Sequence, residues 1–267
     1  MKCLLLLVFA ISIGYLVLNS TNFFNGKKFE ETIHQQHPFK DGLIKIDNNV
    51  GAISIEGSTT DKIEINIVKK AKSRELLKEI KLHMAVKANK VHIKADTKNN
   101  DTEVSIEIKV PKDTKLEKIY TNVGSIKLSD ISQEVNCQTN CGAIELNNIS
   151  GNITAITNTG AIDINNSTKS VKASTNVGAI YLNQKLLDNL TIELSTNTGK
   201  ITLLLPTNVN AEVNAQLTTG SICSSFNEIK IVKTFPYISS QAHGVIGLGE
   251  SKISLKSNVG QIVIKSN

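Results

Sequence analysis

Apolar and polar residues alternate along most of the chain after residue 38. In Val171-Lys172-Ala173-Ser174-Thr175 and in Ala179-Ile180-Tyr181-Leu182, every second position is apolar or small. This period of two, with many β-branched residues, is typical of strands that bury one face. Asn176-Val177-Gly178 separates the two stretches, and Asn and Gly tolerate the positive φ of a tight bend. The pattern therefore predicts a strand, a bend and a second strand.

The same unit recurs along the sequence. Its glycines at 124, 142, 160 and 178 are 18 residues apart, and the glycines at 199 and 220 follow at intervals of 21. Two outlying copies lie near the two ends of the chain. A unit of 18 residues is too short for a strand, a helix and their loops, but it fits one coil of a β-solenoid. We therefore predict an all-β fold, a parallel β-solenoid with 18–21-residue coils and one short helix. The structural turn column is predicted to be Gly51, Gly124, Gly142, Gly160, Gly178, Gly199, Gly220 and Gly260.

Stacking such coils brings equivalent residues about 4.8 Å apart. Ile126, Ile144, Ile162 and Ile180 then form an inward aliphatic column. Side-chain amides at the bends can hydrogen-bond along the stack. Parallel crossovers favour a right-handed coil, although 18-residue coils also occur in left-handed helices. The predicted asparagine ladder is Asn49, Asn122, Asn140, Asn158, Asn176, Asn197 and Asn258.

We expect a single solenoid domain over residues 39–267, with regular coils confined to residues 119–223. In the irregular part, 39–118, Ser73 is a suitable N-cap for a helix near 73–81. Strands are predicted around it at 61–68, 82–87, 90–95 and 103–110. Residues 224–250 are expected to form an irregular loop, and residues 251–267 a terminal coil that resumes the stack and caps it. A polar linker is expected over residues 21–38.

The N-terminus has a different composition. The uninterrupted apolar run from Leu4 to Leu18 suits the hydrophobic region of a signal peptide better than a membrane span. A weak cleavage site follows Ser20, so both a signal peptide and an uncleaved N-terminal membrane anchor remain open for residues 1–20. In either case we expect the rest of the chain to be exported, and to be periplasmic, secreted or anchored at the cell surface.

Composition and charge argue against several functions. The chain has 28 Asn but no Trp, and its aromatic content is 4%, which disfavours stacking platforms for bases or sugars. Its 30 Lys and Arg residues are spread among 24 acidic residues, so the net charge of +6 suggests a solvated surface and no nucleic-acid partner. Cys137, Cys141 and Cys223 show no metal-binding spacing. We expect no metal and no cofactor.

The sequence resembles the DUF4097 family, which is labelled "putative adhesin" and is related to the head GIN domain. The resemblance begins at Phe39-x-x-Gly42-Leu43-Ile44-Lys45-Ile46, leads into Asn49-Val50-Gly51-Ala52-Ile53-Ser54-Ile55, and continues through Val110-Pro111 and the Gly-x-Ile coils. It implies a single β-helical domain, usually exported in bacteria. The adhesin label is itself an inference, and the resemblance supplies no catalytic residues.

Glu145 and Asp163 are the best enzymatic candidates. They occupy equivalent outward positions in adjacent coils, with Lys127 one coil before and Tyr181 one coil after. Two carboxylates one strand spacing apart are compatible with a retaining glycosidase. A solvent-facing ladder of compensating charges explains them better, because no signal of a surrounding cleft accompanies them.

Three functional hypotheses follow. The first is an exported, non-enzymatic adhesin or cell-envelope protein whose polar Thr/Asn/Lys face binds a repeating ligand such as a glycan. The alternative is a polysaccharide lyase or hydrolase that uses Glu145 and Asp163. The third is an envelope structural or signalling module that binds another protein at an exposed solenoid edge near Asn267. A membrane contact is expected only through the N-terminal segment.

Overall fold

The computed structural model describes residues 29–97, 101–185, 189–234 and 239–267, so the predicted signal peptide or anchor at 1–20 lies outside the described residues. Twenty strands and one short helix make up these residues, in agreement with the all-β prediction. The strands form two walls that meet at the predicted bends. Most neighbours within a wall are parallel, and the apolar side chains of both walls fill the space between them.

The first wall contains the strands that precede the bends. From one end of the stack to the other, its order is β5 (Lys81–Lys87), β6 (Lys90–Asp96), β2 (Leu43–Val50), β8 (Lys115–Val123), β10 (Val135–Cys141), β12 (Ile153–Thr159), β14 (Val171–Val177), the first parts of β16 (Thr191–Leu205), β20 (Ser251–Ser266) and β17 (Ala211–Ser224), and then β19 (Ser239–Ile246) and β18 (Lys230–Thr234).

The second wall contains the strands that follow the bends. Its order is β1 (Phe29–Pro38), β4 (Lys62–Ala71), β7 (Thr102–Pro111), β3 (Ile53–Ser58), β9 (Ile126–Ser129), β11 (Ile144–Asn147), β13 (Ile162–Ser167), β15 (Ile180–Gln184) and the second parts of β16, β20 and β17.

The inward columns are built from equivalent residues of successive coils. Ile144 lies in register with Ile126 on one side and Ile162 on the other, and all three are buried. Leu146 is in register with Leu128 and Ile164 in the same way. Because aliphatic side chains stack on aliphatic side chains along the whole length, each coil buries its apolar face only through its neighbours.

A glycine lies at each predicted bend, and in five of the bends a buried threonine accompanies it. Gly160 has φ +152, a conformation that L side chains rarely adopt, and a Cβ there would lie 2.0 Å from the carbonyl oxygen of Gly142. The Thr157 hydroxyl donates a hydrogen bond of 3.0 Å to that same oxygen. The close approach therefore lets a buried hydroxyl satisfy the carbonyl of the preceding coil. Equivalent bonds join Thr121 to Gly51, Thr139 to Gly124, Thr175 to Gly160, and Thr196 to Gly178.

The order of coils in space differs from their order in the chain. The coil of β2 and β3 lies between that of β6 and β7 and that of β8 and β9. At the other end, β20 lies between β16 and β17. The expectation that residues 251–267 cap the stack is therefore wrong. The coil of β2 and β3 and the coil of β20 each lie one coil away from an end of the stack. Each therefore pairs with a coil on both sides.

Antiparallel strands cover much of the ends of the stack. Residues 29–38, expected to be linker, form β1 and pair with β4. Within residues 224–250, expected to be an irregular loop, β18 and β19 form an antiparallel pair that continues from β17. The helix α1 (Arg74–Glu79) agrees with its prediction, and the Ser73 hydroxyl accepts a hydrogen bond from the Leu76 N–H. Because the strands at the ends of the stack pair in an antiparallel manner, they limit the addition of further parallel coils.

We predict that Gly160→Ala destabilises the protein by at least about 3 kcal/mol, because the left-handed φ strains the new residue and its Cβ collides with the Gly142 carbonyl oxygen. The free energy of unfolding in urea measures the effect.

Thr159→Ala is the control, since Thr159 is exposed in the same bend and its removal is expected to cost less than about 0.5 kcal/mol. Equal losses in the two variants would show that the glycine has no special role.

Candidate binding groove

A polar groove runs along the outer face of the first wall, beside the bends. Its volume is about 440 Å³. Ser174 and Ser195 form its low floor, since their small side chains leave space above the backbone, and Gln138 and Lys256 rise at its two ends. We use the name polar groove for the surface formed by Gln138, Asn140, Ile156, Asn158, Ser174, Asn176, Ser195, Asn197, Lys256 and Asn258.

The groove continues beyond its main cavity. Lys256, Ser257 and Asn258 also line a second cavity of about 240 Å³, which extends to Gln216 on β17 and Gln241 on β19. The insertion of β20 between β16 and β17 therefore places the C-terminal coil in the groove.

One side of the groove is the predicted asparagine ladder. The Asn140 amide donates to the Asn122 Oδ1 at 2.9 Å, and the Asn258 amide donates to the Asn197 Oδ1 at 2.8 Å. Asn197 donates in turn to Asn176. At the far end Asn122 donates to Asn49, whose own amide donates to the Thr97 carbonyl at 2.6 Å. Each amide in such a row presents a donor and an acceptor to solvent as well as to its neighbour.

The ladder is interrupted at Asn158. Among the described residues, the Asn158 side chain makes no hydrogen bond, whereas Asn140 and Asn176 bond away from it. Asn158 lies in the middle of the main cavity and is exposed. The groove therefore holds a free primary amide at its centre.

Glu145 and Asp163 lie opposite each other on adjacent strands of the second wall, as the repeat predicts. The Glu145 carboxylate forms an ion pair of 3.3 Å with Lys127. The Asp163 Oδ1 accepts a hydrogen bond of 2.6 Å from the Asn165 amide. The same outward column continues to Tyr181 and Thr202, and neither carboxylate lines any of the described cavities. The pair is thus part of an exposed charge ladder that lines none of these cavities.

The ionisation of Asp163 is perturbed. Partial burial raises the pKa of this carboxyl, the nearby Glu145 charge raises it further, and the Asn165 hydrogen bond opposes both effects. A raised pKa is a feature of general acids, but structural neighbours of like charge produce the same shift. The groups that shift this pKa, Glu145 and Asn165, belong to the same exposed ladder, which favours the structural explanation.

The cysteines and the remaining ionisable groups offer little chemistry. Cys137 is buried in the core, which raises the pKa of its thiol to about 12 and keeps it protonated. Cys141 and Cys223 are exposed, and all three are free thiols. In the described ranges, no three His, Cys, Asp or Glu side chains come together to hold a metal ion. No described helix is long and apolar enough to span a membrane.

A second ladder at the other corner of the coils was not predicted. Asp130, Asn148 and Asn166 all have positive φ, and their side chains are joined by hydrogen bonds of 3.1 and 2.9 Å. Asp and Asn are the residues other than glycine that most readily adopt this conformation. Their spacing of 18 residues was visible in the sequence, although no glycine marked it.

These features define a repeat protein of the β-solenoid class with a polar surface groove. The sequence profile of the Toastrack DUF4097 family matches residues 118–265, which is more than half of the chain. The chain therefore belongs to the Toastrack DUF4097 family, as its resemblance implies.

Several solved structures are similar to the chain. A "putative cell adhesion protein" from Clostridium sporogenes is 13% identical with a TM-score of 0.37, over 88% of this chain and 100% of that one. A "putative adhesin" from Bacteroides fragilis is 18% identical with a TM-score of 0.39, over 88% and 97% of the two chains. A "putative lipid binding protein" from Parabacteroides distasonis is 12% identical with a TM-score of 0.35, over 89% and 96%. Similarity at this level transfers no function, and no curated protein matches the chain.

We predict that Asp163→Asn raises the free energy of unfolding at pH 7 by a few tenths of a kcal/mol. Because folding raises the pKa of this carboxyl, the folded state binds the proton more tightly, and the charged form costs stability as pH rises through the folded pKa. The gain should disappear below about pH 4, where the carboxyl is protonated in both states. Urea unfolding at both pH values tests this expectation.

Glu145→Gln is the comparison, since it removes the charge that pairs with Lys127 and should lower stability slightly at pH 7. If Asp163→Asn destabilised the protein at pH 7, the burial of its charge would not be a cost and this account of the pair would be wrong.

Proposed function

We propose that the protein is an exported, non-enzymatic binding protein of the cell envelope, an adhesin in the broad sense, and that the polar groove binds a linear glycan. The observation that carries the proposal is the regular row of amides and hydroxyls along the groove, interrupted by the free amide of Asn158. Export rests on the apolar run Leu4 to Leu18 in the sequence and on the family resemblance.

The periodicity of the groove supports a repeating ligand. Equivalent side chains on neighbouring strands recur about every 4.8 Å, so the groove offers the same donors and acceptors several times along one line. Asn and Ser side chains both donate and accept hydrogen bonds, as sugar hydroxyl groups do. A polymer whose units repeat along a line can satisfy such a surface at several points at once, which raises its avidity.

The enzymatic alternative has less support. Catalytic carboxylates act in a site that holds the substrate in a fixed geometry. Glu145 and Asp163 instead lie on the second wall, away from the groove, and their acceptor oxygens bond to Lys127 and Asn165. The groove itself contains no carboxylate among its described lining residues.

Binding of the purified protein to a panel of linear polysaccharides tests the proposal. Asn158→Ala combined with Gln138→Ala should weaken binding by about fivefold for each hydrogen bond lost. Stability should change little, because the Asn158 amide has no partner among the described residues.

The matched control is Asn208→Ala combined with Asn227→Ala, which removes two exposed amides from turns outside the groove. Glu145→Gln combined with Asp163→Asn should leave the affinity for the polysaccharide unchanged. We also expect neither the wild type nor this variant to cleave the polysaccharide. If binding depended on the two carboxylates and not on Asn158, the binding site would lie on the second wall and the proposal would be wrong.

A further inference from the structure

A basic patch lies on the same face as the polar groove, at the end of the stack that contains β5 and β6. We define it as the outward face of β5, β6, β2 and β8. Its lysines come from four separate parts of the sequence, which is why the charge looks evenly spread along the chain. They are Lys81 and Lys87 on β5, Lys90 and Lys94 on β6, Lys45 on β2, and Lys115 and Lys118 on β8.

The acidic residues on this face do not balance the lysines. Asp47 pairs with Lys118 at 3.4 Å, and Asp96 pairs with Lys94 at 3.4 Å. Glu117 is a third acidic residue near this face, at the point where the register of β8 against β2 shifts by one residue. The remaining lysines of the patch form no ion pair with a described residue.

Two like-charge pairs are built into the register. Lys87 lies directly opposite Lys90 on the antiparallel neighbour, and neither forms an ion pair with a described residue. Lys45 lies beside Lys118 on the parallel neighbour, where the ion pair of Lys118 with Asp47 offsets part of the repulsion. Like charges in these positions destabilise a sheet. The fold therefore keeps an electrostatic repulsion that its own packing does not require, and an anionic ligand would relieve it.

The opposite face at the same end has a different charge. There Glu30, Glu56, Glu64, Glu103 and Glu107 project from β1, β3, β4 and β7 beside Lys62, Lys70 and Lys109. Lysines needed only for solubility would be mixed with acids on both faces. The segregation shows that the positive charge is directed to the groove side of the molecule.

The patch is continuous with the groove. Across neighbouring strands, Lys94 is in register with Asp47, Asp47 with Tyr120, and Tyr120 with Gln138, the first residue of the groove. The Lys118 ammonium lies 5.0 Å from the centre of the Tyr120 ring. One line of side chains thus runs from the basic patch along the floor of the polar groove.

We propose that the ligand is an acidic linear polysaccharide, whose carboxylate or phosphate groups bind the basic patch while its hydroxyl groups lie in the polar groove. This inference rests on the proposed function and specifies the class of glycan. Lysine binds either kind of anion as a point charge. An anionic membrane fits the surface less well, because docking on this face would cover a groove of neutral amides and hydroxyls with lipid headgroups.

The experiment compares two polymers with one backbone, polygalacturonate and its fully methyl-esterified form, binding to the purified protein. The wild type should bind the charged polymer about tenfold more tightly at low ionic strength, and the difference should shrink at 0.5 M NaCl. The variant Lys45→Glu/Lys87→Glu should lose this preference, keep its affinity for the ester, and melt at the same or a higher temperature because it removes both like-charge pairs.

Lys62→Glu/Lys265→Glu is the matched control, because it makes the same change in net charge at exposed lysines of the second wall. It should retain the preference. If the control lost the preference as fully as the patch variant, net charge alone would explain binding and the inference would be overturned.

Two further outcomes would overturn the inference in different ways. Equal affinity for the two polymers, with loss of both in Asn158→Ala/Gln138→Ala, would refute the charged ligand and leave the proposed function intact. Binding only to vesicles that contain phosphatidylglycerol, and to neither polymer, would refute both and assign the basic patch to a membrane surface.

Discussion

The structure depends on the hydrogen bond from a buried threonine hydroxyl to the glycine carbonyl of the preceding coil. Thr157 can reach the Gly142 oxygen only because the bend has no side chain at that position and because Gly160 adopts a left-handed φ. In the five coils that contain this threonine, the bond fixes where the coil bends and how it aligns with its neighbour. Since a slip of one residue would turn every inward side chain outward, this alignment also decides which residues face the solvent.

A fixed register converts a sequence repeat into a patterned surface. Outward residues fall into straight columns, and one pair of columns combines the amide ladder with small residues such as Ser174 to leave a groove. The second wall is built by the same rules, but its outward column contains Lys127, Glu145 and Asp163, which compensate one another's charge. The two faces thus differ in chemistry although they share an architecture, and the groove side is the one suited to an extended ligand.

The repeat allowed much of this architecture to be predicted, because the period of the Asn-x-Gly unit specifies strands, bends and inward columns. The order of the coils could not be predicted, since Gly51 fits against Gly124 as well as Gly142 does. The polar sequence of β1 gave no apolar signal, and the depth of the groove depends on which outward residues happen to be small. The basic patch could not be predicted either, because it depends on the order of the coils in space. Lys45 reaches Lys118 only because β2 is inserted between β6 and β8.

We propose that one continuous face, from the basic patch to the end of the polar groove, is the binding surface. Backbone amide shifts of the ¹⁵N-labelled protein, recorded during titration with a short oligogalacturonate, test it most directly. We expect the perturbed amides to follow the first wall from Lys90 and Lys45 through Asn158 to Asn258, while those around Glu145 and Asp163 stay unchanged. Perturbations centred on Glu145 and Asp163, with none at Asn158, would contradict it.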